Sequence, residues 1–303
     1  MNKDKSTYHV PVLLKESVDG LAVKPDGVYV DVTFGGGGHS REILKRLGAE
    51  GRLYAFDQDE EAIANAIDDP RFVLIESNFS NLKNFLRLHG VRQVDGILAD
   101  LGISSHQINK PSRGFSTRYD EKLDMRMDKR ADLTAYEVIN NYPEADLRNI
   151  FSQYGDLRNA ATLARAIVKA REEKPVRTTG QLNEVVSKHF PKLKMNKFLA
   201  KLYQAVRIEV NGEMEALKKM LQQSAELIKP GGRLSVISYH SLEDRLVKRF
   251  IRDGMFEGQP EKDLYGNVSV PFKKVGKLIV PSPEEIERNP RARSAKLRIA
   301  EKL

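Results

Sequence analysis

The residues most suited to chemistry cluster around a glycine run. The segment DVTFGGGGHSREIL (31–44) places Gly35 to Gly38 in succession between an apolar stretch and a helix-like one. Glycines at such a turn let the backbone approach a ligand closely. A Walker-type phosphate loop needs Gly-Lys-Ser/Thr after the glycines, whereas this run ends in Gly-His-Ser. A dinucleotide fingerprint counted from Gly35 needs a glycine where the chain has Ser40, which argues against an NAD enzyme. Asp57 stands 22 residues after Gly35, at the end of the second apolar run. A carboxylate there accepts hydrogen bonds from both hydroxyls of a ribose. Asp31 ends the first run, where it could face a cationic amine. An adenosine with a positive tail and no diphosphate describes S-adenosylmethionine; the competing reading is a tight turn with two solvated acids. His39 suits either a cofactor contact or local packing at a helix start. Phe79 suits either a cover for the adenine or a place in the core.

A second set of residues could receive the transferred methyl group. Asp100 ends the run DGILADLG (95–102), on the rim that faces the cofactor crevice in sheets of this type. An acid there can accept an N–H from an exocyclic base amine. The amine lone pair is delocalised into the ring, and an acceptor on its N–H favours a pyramidal nitrogen able to attack in line. Asp100 is therefore the candidate catalytic residue. Tyr239 and His240, in SVISYHSLEDRLVKRF (235–250), could stack on a flipped base and contact its edge, or pack structurally near a strand end. Glu243 and Asp244 suit the N-terminus of the following helix. The chain has no cysteine. That excludes the cysteine adduct through which methylation at cytosine C5 proceeds, together with disulfides, thiolate zinc sites and iron–sulfur clusters. No metal site is expected.

These residues need a scaffold. Apolar runs rich in β-branched or aromatic residues occur at 28–34, 53–57, 72–76 and 95–102, with helical stretches between the first three. That alternation predicts a parallel sheet with crossovers. Between about 105 and 210 the strand signal disappears and three long stretches carry helical periodicity. TTGQLNEVV offers Thr178 and Gln181 at capping-box spacing. The α/β pattern then resumes with GEMEALKKMLQQSAELIKPGG, whose Met214, Leu217, Leu221, Ala225 and Ile228 share one helical face, KPGG ending the helix. RLSVISY predicts a fifth strand, and NVSVPFKKVGK with AKLRIAEKL a closing antiparallel pair. The expected organisation is an α/β domain made of 1–105 and 211–303, interrupted by a helical insertion at 106–210.

The 303 residues carry a formal charge of +8 and a pI near 9.4. A basic excess suits a polyanion such as RNA without requiring one. Within the insertion, Lys188, Lys192, Lys194, Lys197, Lys201 and Arg207 interleave with Phe190, Phe198 and Tyr203. That mixture suits either an RNA-tracking surface or a solvated helix with aromatics in its core. No apolar run has membrane-span length, and MNKDKSTYHV lacks the apolar core of a secretion signal, so a cytoplasmic protein without membrane contact is expected.

Along almost its whole length the chain resembles the ribosomal RNA small-subunit methyltransferase H family, also called MraW. The matching stretches are HVPVLLKESV, DVTFGGGGHS, DGILADLGISS, RGFS, LDMRMD, QAVRIEVNGE, KPGGRLSVISYHSLEDRLVKRF and NPRARSAKLRIAE. The resemblance implies a class I, Rossmann-like S-adenosylmethionine-dependent methyltransferase fold with an inserted helical domain that recognises RNA. It implies methyl transfer to N4 of a cytidine in the decoding region of 16S rRNA, within the small ribosomal subunit. It implies cofactor contacts at Gly37, Gly38, His39, Asp57, Phe79, Asp100 and Gln107, the last singled out by the resemblance alone. Competing readings are a methyltransferase for a non-RNA substrate and a subunit-assembly factor that holds the cofactor without turnover. The oligomeric state stays open, a homodimer included.

Overall fold

The computed structural model describes residues 11–260 and 268–303. The N-terminal MNKDKSTYHV and Asn267, which opens NVSVPFKKVGK, lie outside them. By internal contacts the chain divides into two units, one running to Gly102 and resuming with Met214–Leu303, the other Ile103–Glu213. Among the described residues, no helix is long and apolar enough to cross a membrane.

The first unit is built on a seven-stranded sheet. Its strands are β1 (Val28–Asp31), β2 (Arg52–Asp57), β3 (Phe72–Glu76), β4 (Val94–Asp100), β5 (Ile228–Ser238), β6 (Phe272–Ile279) and β7 (Lys296–Lys302), in the spatial order β3-β2-β1-β4-β5-β7-β6. The first five pair in parallel, and β7 runs antiparallel to both β5 and β6. Strands covered on both faces can be apolar throughout, and the central β1, β2 and β4 bury almost every side chain. Ile43 and Leu44 of the helix Gly38–Arg46 pack on Tyr29, Leu53 and Leu98. Met220, Leu221 and Leu227 close the other part of the core against Ile97, Leu234 and Val236.

The strand order reverses between β1 and β4, which are hydrogen-bonded neighbours. Chain leaving β1 crosses towards β2, while β4 leads on to β5. The loops diverge and leave a crevice at the carboxyl ends of these two strands, the place where such sheets take ligands. The glycine run follows β1 and Asp100 ends β4, so the topology aims both at one crevice.

One local reading needs correcting. KPGG was expected to end a helix and precede the fifth strand, yet β5 begins at Ile228. Val94 pairs with Ile228, a register break follows, and Gly231 takes φ +78° before pairing resumes at Arg233. Ile228 is buried on a strand, not on the helix Glu213–Leu227.

The second unit is helical, with one isolated bridge, Lys122 to Thr178. Its longer helices are Glu144–Gln153, Ala160–Glu173, Thr179–Ser187 and Met195–Asn211. The Thr178–Gln181 capping box forms as the spacing predicted, the Thr178 hydroxyl accepting from the Gln181 N–H at 3.3 Å. Leu163, Leu182, Leu202 and Val206 lie in its own core, which by itself stabilises the unit through burial of apolar surface.

Candidate active site

β1 delivers Asp31 to the crevice base, but the structure does not leave it open to an amine. Its side chain is fully buried. The Ser40 hydroxyl donates to Oδ2 at 2.7 Å and the Thr33 N–H to Oδ1 at 3.1 Å. Burial pushes its pKa up, and these hydrogen bonds oppose the rise. Asp31 thus fastens the strand end to the start of the helix Gly38–Arg46. Thr33 extends the fastening, because its hydroxyl accepts the Asp100 N–H at 2.7 Å.

The glycines have distinct tasks. Gly37 caps the helix at φ 74°, a left-handed conformation that other L-residues adopt at a cost. A Cβ on Gly38 would lie 2.1 Å from Pro11 Cγ, so this glycine permits close packing against the preceding segment. Gly35, at φ +52°, has nothing within 4 Å of where a Cβ would stand. Its N–H donates to Asp57 Oδ2 at 2.8 Å, and the Asp59 N–H donates to Oδ1 at 2.9 Å. Burial pushes the Asp57 carboxyl up to about 6, with the two amide bonds holding it from rising further. A carboxylate offers about four acceptor positions; these two amides take two. What remains is a hydroxyl-accepting edge beside open space over a glycine. This acceptor edge fits the ribose hydroxyls of an adenosine. Phe79 opens the single turn Phe79–Asn81 after β3 and is half-buried against the sheet core, with Asn78 capping that turn. The Asn78 amide donates to Gln58 Oε1 at 2.7 Å, which ties the ends of β2 and β3 together.

Asp100, His39 and Tyr239 come together from three elements. The Tyr239 hydroxyl donates to Asp100 Oδ1 at 2.8 Å. His39 Nδ1 stands 3.8 Å from Asp100 Oδ2, and its Nε2 lies 3.3 Å from the Val12 carbonyl oxygen. A carbonyl is only an acceptor, so a proton on Nε2 serves that contact, while Nδ1 faces the carboxyl. Burial lowers the His39 pKa, opposed by Asp100 and by the Val12 carbonyl. Burial pushes Asp100 up to about 6, opposed by His39 and by the Tyr239 hydroxyl, while Asp31 and Glu243 add to the rise. Tyr239 itself is held far above its ordinary range by burial and by Asp100, so its hydroxyl keeps its proton.

Tyr239 and His240 thus stand in different roles within the fold. The Tyr239 ring packs beside Ile237, Ala292 and Leu297, and its hydroxyl is committed to Asp100. His240 is the N-cap of the helix Ser241–Asp253, its Nδ1 facing the Glu243 N–H at 3.5 Å. The buried Glu243 completes this capping box, accepting the Tyr239 N–H at 2.8 Å and the His240 N–H at 3.2 Å. Asp244 pairs with Arg298 at 2.7 Å and Lys296 at 3.2 Å, anchoring the same helix to β7. Sequence reasoning missed Thr33 and Ser40; the only signal was a hydroxyl on each side of the glycine run.

Gln107 lies in the helical unit. It is buried, and its Oε1 accepts the Ser104 N–H at 3.0 Å in the capping box of the helix Ser105–Asn109. In the same unit Phe190 and Phe198 stack on each other at 4.4 Å, and the buried Tyr203 hydroxyl lies 3.0 Å from Asn183 Oδ1. Phe190 and Tyr203 are buried in the core, and Phe198 is partly buried against it. Arg207 is paired with Glu213 at 2.7 Å and Lys201 with Asp156 at 2.8 Å.

The chain was compared with known proteins. The model of the MraW methylase family matches residues 6–303. A protein named ribosomal RNA small subunit methyltransferase H from Flavobacterium johnsoniae is 66% identical over 296 residues, 98% of each chain. One of the same name from Bacteroides thetaiotaomicron is 60% identical over the full length of both. Among solved structures, an rRNA methylase from Streptococcus thermophilus is 15% identical with a TM-score of 0.41, covering 97% of this chain and 99% of that one. Identity at this level over the entire length, with a Rossmann-like sheet whose switch point gathers the glycine run, Asp57 and Asp100, means that this chain belongs to the MraW methylase family.

Proposed function

We propose that this protein transfers a methyl group from S-adenosylmethionine to the exocyclic N4 of a cytidine in the decoding region of 16S rRNA, in the context of the small ribosomal subunit. The relatives' names support ribosomal RNA of the small subunit as substrate. The observation that carries the chemistry is the Asp100 carboxyl at the switch point, anchored through one oxygen by Tyr239.

When bound, S-adenosylmethionine supplies an electrophilic methyl carbon on a sulfonium. Asp57 would receive the ribose hydroxyls, Phe79 would lie against the adenine, and Gly37, Gly38 and His39 would line the turn beside the cofactor. Gln107 is assigned to the cofactor through the family resemblance. Asp100 accepts an N–H of the amine, which draws the nitrogen lone pair out of conjugation and orients it. The proton that the nitrogen must lose passes to Asp100 Oδ2 or to water. Tyr239 acts through Asp100 as a positioning residue, and His240 sets the strand end from which Tyr239 projects. The absence of cysteine leaves direct transfer to nitrogen as the consistent route for a cytosine.

The test is methyl transfer from labelled S-adenosylmethionine to small subunits lacking the modification, followed by digestion to nucleosides and mass identification. N4-methylcytidine is the expected product. Label in protein, or cofactor binding with no label in RNA, would overturn the proposal.

A further inference from the structure

A second feature of the sheet unit lies at its far edge. Among the described residues β6 is the terminal strand, with one hydrogen-bonding edge unpaired in the sheet. Between β6 and the helix Ser241–Asp253 lies a cavity of about 340 Å³. Ile251, Val275 and Leu278 contribute apolar lining, and Leu278 is 38% exposed. Lys248 from the helix and Lys274 and Lys277 from the strand are exposed on its margin. Three other cations of the lining are neutralised locally. Lys273 pairs with Glu301 at 2.6 Å, Arg252 with Asp253 at 2.6 Å and Arg298 with Asp244 at 2.7 Å. The positive charge left for a partner therefore comes from two separate elements that flank one apolar recess.

The edge is poorly suited to receiving a peptide strand. Gly276 takes φ +65°, and the β6–β7 register shifts between Val275 and Ile279. Such a bulge twists an edge away from further pairing. A ligand that needs no backbone ladder, bears negative charge at regular intervals and carries flat apolar faces matches the recess. The geometry points to this groove as a docking site for a single-stranded RNA segment, a base resting in the recess and its phosphates on Lys248, Lys274 and Lys277. The inference rests on the reading of RNA as substrate, and it adds a contact remote from the carboxyl ends of β1 and β4, on the outermost strand of the sheet.

The experiment is titration of a mixed-sequence single-stranded oligoribonucleotide, read by fluorescence anisotropy across a salt series. The full-length protein is compared with the Lys248→Glu/Lys274→Glu/Lys277→Glu variant, the corresponding triple alanine variant and Leu278→Ser. Single-strand phosphate contacts contribute about 0.7 each to the slope of log K against log salt. The alanine variant is expected to lose about 2 from that slope and about 100-fold in affinity near 0.1 M salt, the glutamate variant more. Leu278→Ser is expected to weaken binding with its slope unchanged. All four proteins should bind S-adenosylhomocysteine alike, which controls for folding. Unchanged affinity and slope would assign the lysines to keeping a free strand edge from aggregating and overturn the inference. Equal displacement of the RNA by poly-glutamate of matched charge would overturn it in favour of an acidic protein partner. Loss of RNA affinity in the lysine variants, together with no methyl transfer to RNA by the unsubstituted protein, would overturn the proposed reaction and leave the groove standing.

Discussion

Asp100 is half-buried among groups that oppose one another. His39 and the Tyr239 hydroxyl favour its charged form, while burial, Asp31 and Glu243 favour the neutral one, leaving it at about 6. An ionised carboxylate is the better acceptor for an amine N–H, so kcat/KM should fall as pH drops through about 6. Tyr239→Phe removes a hydrogen bond that lowers the Asp100 pKa, so the acid limb should move to higher pH, an effect that damaged packing alone would not produce. Asp100→Ala should cut turnover by about 100- to 1,000-fold with RNA affinity retained; retained turnover would remove Asp100 from the chemistry. The stability consequence has the opposite sign. A carboxyl whose pKa is raised on folding contributes stability below the unfolded value, near 3.8, that is lost as pH rises through about 6. Asp100→Asn should therefore raise the melting temperature of the ligand-free protein at pH 8 and raise it by less at pH 5, as scanning fluorimetry at the two pH values can check. Much of this arrangement escapes sequence reading. Asp57 and Gly35 are 22 residues apart, a separation that one strand–helix–strand unit fixes, and they do hydrogen-bond. Tyr239 and Asp100 are 139 residues apart and meet only because β4 and β5 are sheet neighbours.

At the scale of elements, the turn between β1 and the helix Gly38–Arg46 separates two costs of adding a methyl group. Gly35→Ala meets no neighbour and only the penalty of a positive φ, about 1–2 kcal/mol. Gly38→Ala must displace Pro11, whose Cγ stands 2.1 Å from the new Cβ, and overpacking costs about 1–3 kcal/mol. Both should lower the urea midpoint. In addition, Gly35→Ala should weaken S-adenosylhomocysteine binding beyond its stability loss, because the methyl group enters the open space beside Asp57. Equal affinity in the wild type and Gly35→Ala would remove that space from the cofactor site. Strand and helix identity here was readable because apolar runs and 3.6-residue periodicity are local signals. The path of the chain at 229–232 was not: a Pro-Gly-Gly sequence signals a turn, and only pairing of Ile228 with Val94 turns the residue before it into a strand.

For the molecule as a whole, the chain leaves the sheet after β4 and returns with the helix that precedes β5. The change from alternating α/β pattern to helices alone marked this departure in the sequence. The exact changeover, at 102/103 and 213/214, did not show because helical periodicity continues across residue 213. Each unit has its own apolar core, so ligand effects can be read unit by unit, and hydrogen exchange followed by mass spectrometry is the suitable probe in a chain without tryptophan. A ligand that binds only the folded state, at 100 times its Kd, stabilises that state by about 2.7 kcal/mol. Saturating S-adenosylhomocysteine should slow exchange in peptides covering β1, the glycine turn, the end of β2 and Asp100, with Asp57→Ala removing most of that protection. Peptides covering Ser105–Asn109 are a separate readout of Gln107. Protection there that disappears in Gln107→Ala would tie this residue to the cofactor. No change there would confine Gln107 to the capping box it forms with Ser104, and leave the glycine turn, Asp57 and Asp100 to hold the cofactor without it.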